Sequence, residues 1–310
     1  MNASRIAVAV NPTSGQGRGA ALGDAAVAAL STLGASVQRL EGTSAADLAA
    51  RIAASLDHED VDALVVVGGD GMVHLGVAAV VGTDVPLGIV AAGTGNDIAR
   101  TLGLPVRDPQ AAATVLLEKL ATGGRRIDAV EVRPEETAGD GAPRWFAGVL
   151  AAGFDAVVNE RANGWNRPRG RAKYVLAMLA ELPRFSARTY TVTLDDEAAA
   201  VEKAMLVALG NGPSYGGGMR VCPDASMDDG LTEVVLVREV PVPTFLRIFP
   251  RVYSGSHVRD PRVVVHRARR VRLDVEPVRG RKIVAYADGE RIAELPLTCI
   301  THPGAVTVLA

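Results

Sequence analysis

Residues 64–77 read LVVVGGDGMVHLGV, and this stretch decides the architecture. Leu64 to Val67 is a short, mostly β-branched apolar run without polar alternation, the pattern of a strand covered on both faces of a parallel sheet. Gly68, Gly69 and Gly71 then let the backbone turn sharply and come close to a ligand, with Asp70 held among them. A helix signal follows at once. Capping that helix is a common job for an aspartate, but one cap does not require three flanking glycines.

Working outward, the same strand, turn and helix grammar recurs on both sides. Ile6 to Val10 reads as a strand that runs into NPTSGQGRG, residues 11–19. A helix is expected near Asp24 to Leu33, with Gly34 at its C-cap, then a strand at Val37 to Leu40. Ser44 and Asp47 have capping-box spacing ahead of Leu48, Ile52 and Leu56. Downstream, the strand Leu87 to Val90 ends in AAGTGND, residues 91–97, which opens a helix through Ile98 and Leu102. A helix at Ala111 to Leu120 and a strand at Ile127 to Val132 complete the set. Strands regularly separated by helices imply parallel pairing with right-handed crossovers, hence a doubly wound, Rossmann-like α/β domain. The loops at 11–19, 68–71 and 93–97 then all emerge at the carboxyl edge of one sheet, where such folds bind ligands. Asp70 and Asp97 are expected to face one crevice.

Beyond Val132 the texture changes. Pro134 to Pro143 is a polar loop and a domain boundary, giving an α/β domain over 1–132 and a β-rich domain over 133–310, whose last strand is free to return to the first. Thr189 to Leu194 and Val271 to Val275 alternate as strands do; Met205 to Leu209, Leu231 to Val237 and Leu297 to Thr301 are further strands. Asp288 and Gly289 form a hairpin turn signal. Helices are expected only near Tyr174 to Leu182 and Thr244 to Tyr253. The second half reads as an antiparallel β-sandwich or barrel.

Composition narrows the function. A net charge of -2 and a pI near 6.2 argue against a general nucleic-acid binder. Cys222 and Cys299 are the only cysteines, too few and too far apart for a disulfide framework or zinc cluster, which suits a reducing cytoplasm. No apolar run is long enough to span a bilayer, so the expected state is soluble or resting on a membrane surface. There is no Walker loop and no GxGxxG after the first strand; Gly15, Gly17 and Gly19 alone say little.

What stands instead is an ordered set: NPTSG, GGDG and GTGND at three successive strand ends, with DDG and DGE later. In this combination the chain resembles the bacterial diacylglycerol kinase family of lipid kinases, relatives of sphingosine kinases and, through GGDG, of NAD kinases. The resemblance spans nearly the whole chain. It implies a nucleotide-binding α/β domain followed by a β-sandwich, with ATP phosphorylating a lipid hydroxyl in the presence of Mg²⁺. By motif, Asn11, Pro12, Thr13, Ser14 and Gly15, the turn Gly68, Gly69, Asp70 and Gly71, and Thr43 and Thr94 would contact the nucleotide. Asp70, Asp97 and Asp128 match acidic positions that organise catalytic Mg²⁺, and Glu290 matches the general base. A structural Mg²⁺ would take the Asp229 side chain and the Ser226 and Leu231 carbonyls. The implied partners are diacylglycerol or a related lipid and a peripheral membrane surface, with a homodimer left open.

Each residue also has a plainer reading. Asp97 suits a helix cap, Glu290 a surface strand beside a hairpin turn, Asp228 to Gly230 an acidic turn, and His257 a packing role. The basic, Trp-containing loop Arg161 to Lys173 reads first as solvated surface. Met72, His74 and Leu75 stand where many relatives continue GGDGT with Asn-Glu, so the contacts of that Thr and Glu do not transfer. Phosphorylation of diacylglycerol to phosphatidic acid is the expected reaction; NAD kinase, a kinase of another lipid such as a sphingoid base or phosphatidylglycerol, and a catalytically silent lipid-binding module are the competing assignments.

Overall fold

The computed structural model describes residues 3–12, 19–58, 60–135, 143–165, 176–177, 180–181, 187–277 and 283–310. The chain divides into two compact units, Met1–Ala129 with Gly304–Ala310, and Val130–Pro303. The chain passes between them at 129/130 and again at 303/304, so the tail belongs to the first unit.

The first unit carries a parallel sheet of β1 (Arg5–Val10), β2 (Ser36–Glu41), β3 (Ala63–Gly68) and β4 (Leu87–Ala91), in the order β2-β1-β3-β4. The end of β15 (Leu297–Val308) joins beside β4 with Val308 opposite Leu87, also parallel. Every residue of β3 and β4 is buried, which is why these strands read as unbroken apolar runs. On one face, α1 (Gly19–Thr32) and α5 (Pro109–Thr122) bring Ala26, Leu30, Ala113 and Leu116 against Val8, Val65 and Val90. On the other, α2 (Ala45–His58) and α3 (Asp70–Val80) pack on each other and on β1 and β3.

Local chemistry sets the helix starts. The Ser44 hydroxyl accepts from the Asp47 amide at 3.1 Å, while the Asp47 carboxylate reaches back to the Thr43 amide at 2.8 Å, a reciprocal cap shifted by one residue from the usual box. Asp108 caps α5 by accepting from the Ala111 amide, with Pro109 opening the helix. The short α4 (Asp97–Thr101) follows β4. α1 begins at Gly19, five residues before the expected Asp24, with Gly19 and Gly23 buried and Gly23 lying against Val10 of β1.

The second unit is an antiparallel β-sandwich. It is built from β5 (Arg125–Pro134, from Val130 on), β6 (Arg144–Phe146), β7 (Val149–Ala151), β8 (Arg188–Leu194), β9 (Ala200–Gly210), β10 (Thr232–Arg238), β11 (Val263–Ala268), β12 (Arg270–Val275), β13 (Val284–Ala287), β14 (Glu290–Glu294) and the start of β15. β9 is the hinge of the layers: its first half pairs with β8, and its second half lies between β7 and β10. Between the layers pack Phe146, Leu150, Val192, Leu209, Val234, Leu273 and Leu297, with Tyr190 fully buried and its hydroxyl donating to the Ala152 carbonyl at 2.8 Å. Helices α6 (Phe154–Asn163) and α7 (Val242–Ile248) are short, and a 3-10 stretch over Phe249–Ser254 continues α7. The helix expected at Tyr174 to Leu182 lies mostly outside the described residues.

Candidate active site

In the first unit, β3 and β4 end side by side, and their loops touch backbone to backbone. The amides of Ala92 and Gly93 both donate to the Gly68 carbonyl, at 2.7 and 3.2 Å. A Cβ on Gly93 would lie 2.4 Å from the Gly69 Cα, so only glycine lets the two turns approach this closely. Asn96 fastens the second turn: it is buried, adopts φ 55°, accepts the Gly93 amide at 2.8 Å and donates to the Gly93 carbonyl at 3.0 Å.

Asp70 does not cap its own helix. The N-cap of α3 is Gly69, without a side-chain cap, and the Asp70 carboxylate accepts instead from the Ile98 amide at 3.1 Å. That bond brings Asp70 beside the start of α4, where Asp97 is buried. The GGDG and GTGND aspartates are thus gathered at one sheet edge, as the loop placement predicts. Asp97 is not the cap either; Asn96 holds that position, without a side-chain cap. Two cations border the turn: Arg100 donates to the Gly95 carbonyl at 3.2 Å and Arg107 to the Gly93 carbonyl at 3.3 Å. Sequence reasoning passed over both, because each lies beyond its motif.

Asp128 is buried where β5 leaves the first unit, and its carboxylate accepts from the Gly304 amide at 2.7 Å. Thr94 is exposed on the second turn. Asn11 and Pro12 follow β1, with the Asn11 amide donating to the Val67 carbonyl at 3.4 Å. Thr13, Ser14 and Gly15 lie outside the described residues. The Thr43 hydroxyl donates to the Asp47 carboxylate at 3.1 Å, so its documented role is local capping. Met72 is buried in the α3 core face.

In the second unit, Asp288 and Gly289 form the expected hairpin turn, with φ 54° and 89° and Ala287 opposite Glu290. Asp288 does more than turn the chain. Its carboxylate accepts from the amides of Ala147, Gly148 and Val149 at 3.2, 2.9 and 3.2 Å. The fully buried Asn211 holds the same segment from the acceptor side, donating to the Ala147 carbonyl at 2.8 Å. Glu290 is exposed at the start of β14, directly after this pinned turn.

The acidic turn at 226–231 is held by its own side chains. Ser226 donates to Asp228 at 2.6 Å, the Leu231 amide donates to Asp229 at 3.0 Å, and Arg267 pairs with Asp229. Nearby Glu233 is 1% exposed, and neither carboxylate oxygen accepts a hydrogen bond from a described residue. Burial, reinforced by Asp224, pushes it up to about 7, while Arg267 and, short of a hydrogen bond, the Asp224 amide pull the other way. His257 is the packing histidine: it is buried, its Nε2 lies 3.0 Å from the Val221 carbonyl, and burial holds its pKa below the ordinary value. Glu131 is held below the usual carboxylate range by the Arg133 guanidinium and by His302. Neither cysteine is in a disulfide and both are buried, and burial raises the Cys299 thiol, which fits packing instead of reactivity.

The donor chemistry suits hard cations. Around Asp70 and Asp97 the groups on offer are carboxylate and main-chain oxygens, whereas at the acidic turn the Arg267 guanidinium already pairs with Asp229; among the described residues no three or more His, Cys, Asp or Glu side chains are gathered as a metal site.

Comparison with known proteins decides the family. Residues 5–132 match the Diacylglycerol kinase catalytic domain and residues 148–310 the YegS C-terminal NAD kinase beta sandwich-like domain. The chain is 36% identical over 305 residues to a diacylglycerol kinase of Mycobacterium tuberculosis, covering 98% of this chain and 94% of that one.

The chain belongs to the diacylglycerol kinase family.

Within that lipid kinase family, the Bacillus subtilis diacylglycerol kinase is 26% identical over 241 residues, 76% of this chain and 74% of its own. Among solved structures, a diacylglycerol kinase from Bacillus anthracis superposes with a TM-score of 0.72 at 19% identity, over 100% of this chain and 97% of that one. Yeast NADH kinase shares the fold more distantly, with a TM-score of 0.56 at 14% identity over 99% of this chain and 83% of that one. No helix among the described residues is long and apolar enough to cross a membrane.

Proposed function

We propose that this lipid kinase uses ATP to phosphorylate the free hydroxyl of diacylglycerol, giving phosphatidic acid and ADP. The observation that carries this reading is the bond from the Ile98 amide to Asp70: it sets the GGDG carboxylate against the GTGND turn at the sheet edge where α/β folds bind ligands. The amides of the two apposed glycine turns supply the kind of donors that cradle phosphate oxygens, which would dispense with a Walker lysine. Thr94, Asn11 and Pro12 border the same edge as nucleotide contacts. Arg100 and Arg107 add positive charge beside the second turn.

Phosphoryl transfer rests on positioning and charge neutralisation through a loose transition state. The lipid hydroxyl oxygen bonds to the γ-phosphorus as the bond to the β,γ-bridging oxygen breaks, ADP leaves, and the hydroxyl proton passes to Glu290. Glu290 is suited to this by exposure at the end of a turn that Asp288 fixes through three amides. Mg²⁺ held by Asp70 and Asp97, with Asp128, would supply neutralisation of the phosphate charge; Asp229 and the Ser226 and Leu231 carbonyls are the proposed holders of a second, structural ion. Peripheral contact with a membrane surface in the cytoplasm follows from a lipid substrate; of the basic segment, Arg161 belongs to α6 and pairs with Glu181, Trp165 packs with Val158 and Ala177, and the residues from 166 to Lys173 lie outside the described ones. The deciding experiment incubates purified protein with labelled ATP and Mg²⁺ against diacylglycerol, sphingosine, phosphatidylglycerol and NAD⁺, and identifies the labelled product. Label on NAD⁺ alone would replace this reading with the NAD kinase one, and no transfer to any acceptor would favour a silent binding module.

A further inference from the structure

Residues 240–259 carry three arginines and neither an aspartate nor a glutamate, in a chain whose 35 acidic residues outnumber its 33 Lys and Arg. They form α7 and the 3-10 turns that continue it to Arg259. Phe245, Ile248 and Val252 face inward, Phe245 against Met205 and Val240, the other two against Val235 and Val263. What remains outward falls into two adjacent rows. Leu246, Pro250 and Tyr253 are exposed at i, i+4 and i+7, and Arg247 and Arg251 are exposed beside them at i and i+4. Leu246 and Tyr253 are two of the six large apolar side chains left exposed among the described residues, so this short element gathers a third of them. Arg251 reaches the buried Asp260 only at 3.8 Å and shares it with Arg262 at 3.5 Å, which leaves the face positive. An apolar row flanked by a basic row is the pattern of an element that lies in a membrane interface, where leucine enters the acyl boundary and tyrosine sits at headgroup level. Arginines beside them favour anionic lipid.

We infer that the outward face of α7 and its 3-10 extension docks on anionic phospholipid bilayers, with Leu246 and Tyr253 entering the interface and Arg247 and Arg251 on the headgroups. This rests on the lipid kinase reading, whose substrate resides in a membrane, and goes beyond it by naming the face that meets that membrane. The place of the face within the second unit supports it. Phe249 packs on Phe245 with ring centroids 5.6 Å apart, and Phe245 meets Phe154 edge-on at 5.9 Å. Phe154 opens α6, which lies on β13, and β13 runs into the turn that presents Glu290. Docking through α7 therefore holds the hairpin close to the surface that carries the acceptor hydroxyl.

The experiment is co-sedimentation of the full chain, without nucleotide, with vesicles free of diacylglycerol, made of phosphatidylcholine alone or with about one-third phosphatidylglycerol. Wild type should partition onto the anionic vesicles at least tenfold more strongly than onto the neutral ones, and high KCl should remove most of that difference. Arg247→Gln with Arg251→Gln, and separately Leu246→Ser with Tyr253→Ser, should each weaken partition by about tenfold or more. A second measurement reads insertion directly. Cys222 and Cys299 are buried, so an environment-sensitive maleimide dye on Leu246→Cys reports a single place; its emission should move to the blue on anionic vesicles. The same dye on Leu33→Cys, exposed in the first unit, should not respond. Wild-type partition in both paired variants, equal partition onto neutral and anionic vesicles, or a Leu33→Cys response as large as that of Leu246→Cys would overturn the proposal. So would paired variants that elute from size exclusion as a smaller species with vesicle binding intact, which would assign the face to a second copy of the chain. Should a paired variant fail to fold, the Leu246→Cys dye decides. Failure of the kinase reading appears elsewhere, as absent phosphoryl transfer to diacylglycerol, and leaves this vesicle comparison intact.

Discussion

Asp70 offers the sharpest separation of a structural role from a chemical one. Its Oδ1 accepts the Ile98 amide, 28 residues away, at 3.1 Å, and the side chain is half-buried. Asp70→Asn keeps that acceptor and removes only the charge, so stability should change by less than about 1 kcal/mol, the usual scale of one net hydrogen bond. Asp70→Ala strips the acceptor and leaves the Ile98 amide without it, which costs roughly 1–3 kcal/mol; half-burial places the expectation near the middle of that range. Turnover should separate differently. If the carboxylate acts on the phosphates and their cation, Asn should fall about as far as Ala, by roughly 10³ or more, an effect of preorganised charge. Urea unfolding and kcat with a soluble short-chain diacylglycerol measure the two quantities on the same preparations. An Asn variant with near-normal turnover, alongside a slow Ala variant, would reduce Asp70 to the anchor of α4 and refute the chemical role.

Further expectations follow from the same contacts. Asp288→Ala removes the acceptor of three amides and leaves alanine at a left-handed φ, so unfolding in urea should show a loss of about 3–5 kcal/mol, while Asn, which retains one acceptor oxygen and tolerates that φ, should lose about half as much; equal losses would show that the bonds carry little. Gly93→Ala places a Cβ 2.4 Å from the Gly69 Cα, and because backbone must move, calorimetry should show weakened ATP binding by tenfold or more, whereas wild-type affinity would mean that the turns part easily. Burial holds the His257 pKa below its ordinary value, against the opposing bond to the Val221 carbonyl. The unfolded chain therefore binds the extra proton below about pH 6.5, and the His257 contribution is present above that pH and lost as pH falls, at up to about 1.4 kcal/mol per pH unit. The drop in Tm between pH 8 and pH 5 should shrink in His257→Gln; an unchanged drop would remove His257 from the account.

The parts of this molecule legible in the sequence are those whose causes are local. The unbroken apolar run before Gly68 marks a buried strand, Ser44 and Asp47 announce a helix start, and Asp288-Gly289 specifies a hairpin, because each signal lies within four residues of its effect. Contacts between distant segments leave no such trace. Asp70 reads as a carboxylate sharing a crevice with Asp97, yet nothing near it in sequence announces its bond to the helix after the next strand. Asp288 reads as a turn residue, while its carboxylate gathers amides some 140 residues away. The apolar residues mark the last strand only over Leu297 to Thr301; it runs on to Val308, and the Gly304 amide finds its acceptor in Asp128. Glu233 was hidden by its strand, because a single glutamate in an apolar run looks like an outward residue until pairing turns it inward.

The most direct measurement combines acceptor and base. Wild type and Glu290→Gln are each given labelled ATP, Mg²⁺ and diacylglycerol, with ATP affinity measured in parallel by calorimetry. Glutamine keeps the shape but cannot take a proton, so the wild type should label phosphatidic acid and the variant should do so roughly 10² to 10⁴ more slowly, at unchanged ATP affinity. Equal rates in the two proteins, or label carried by NAD⁺ and by no lipid, would contradict a diacylglycerol kinase that uses Glu290 as its base.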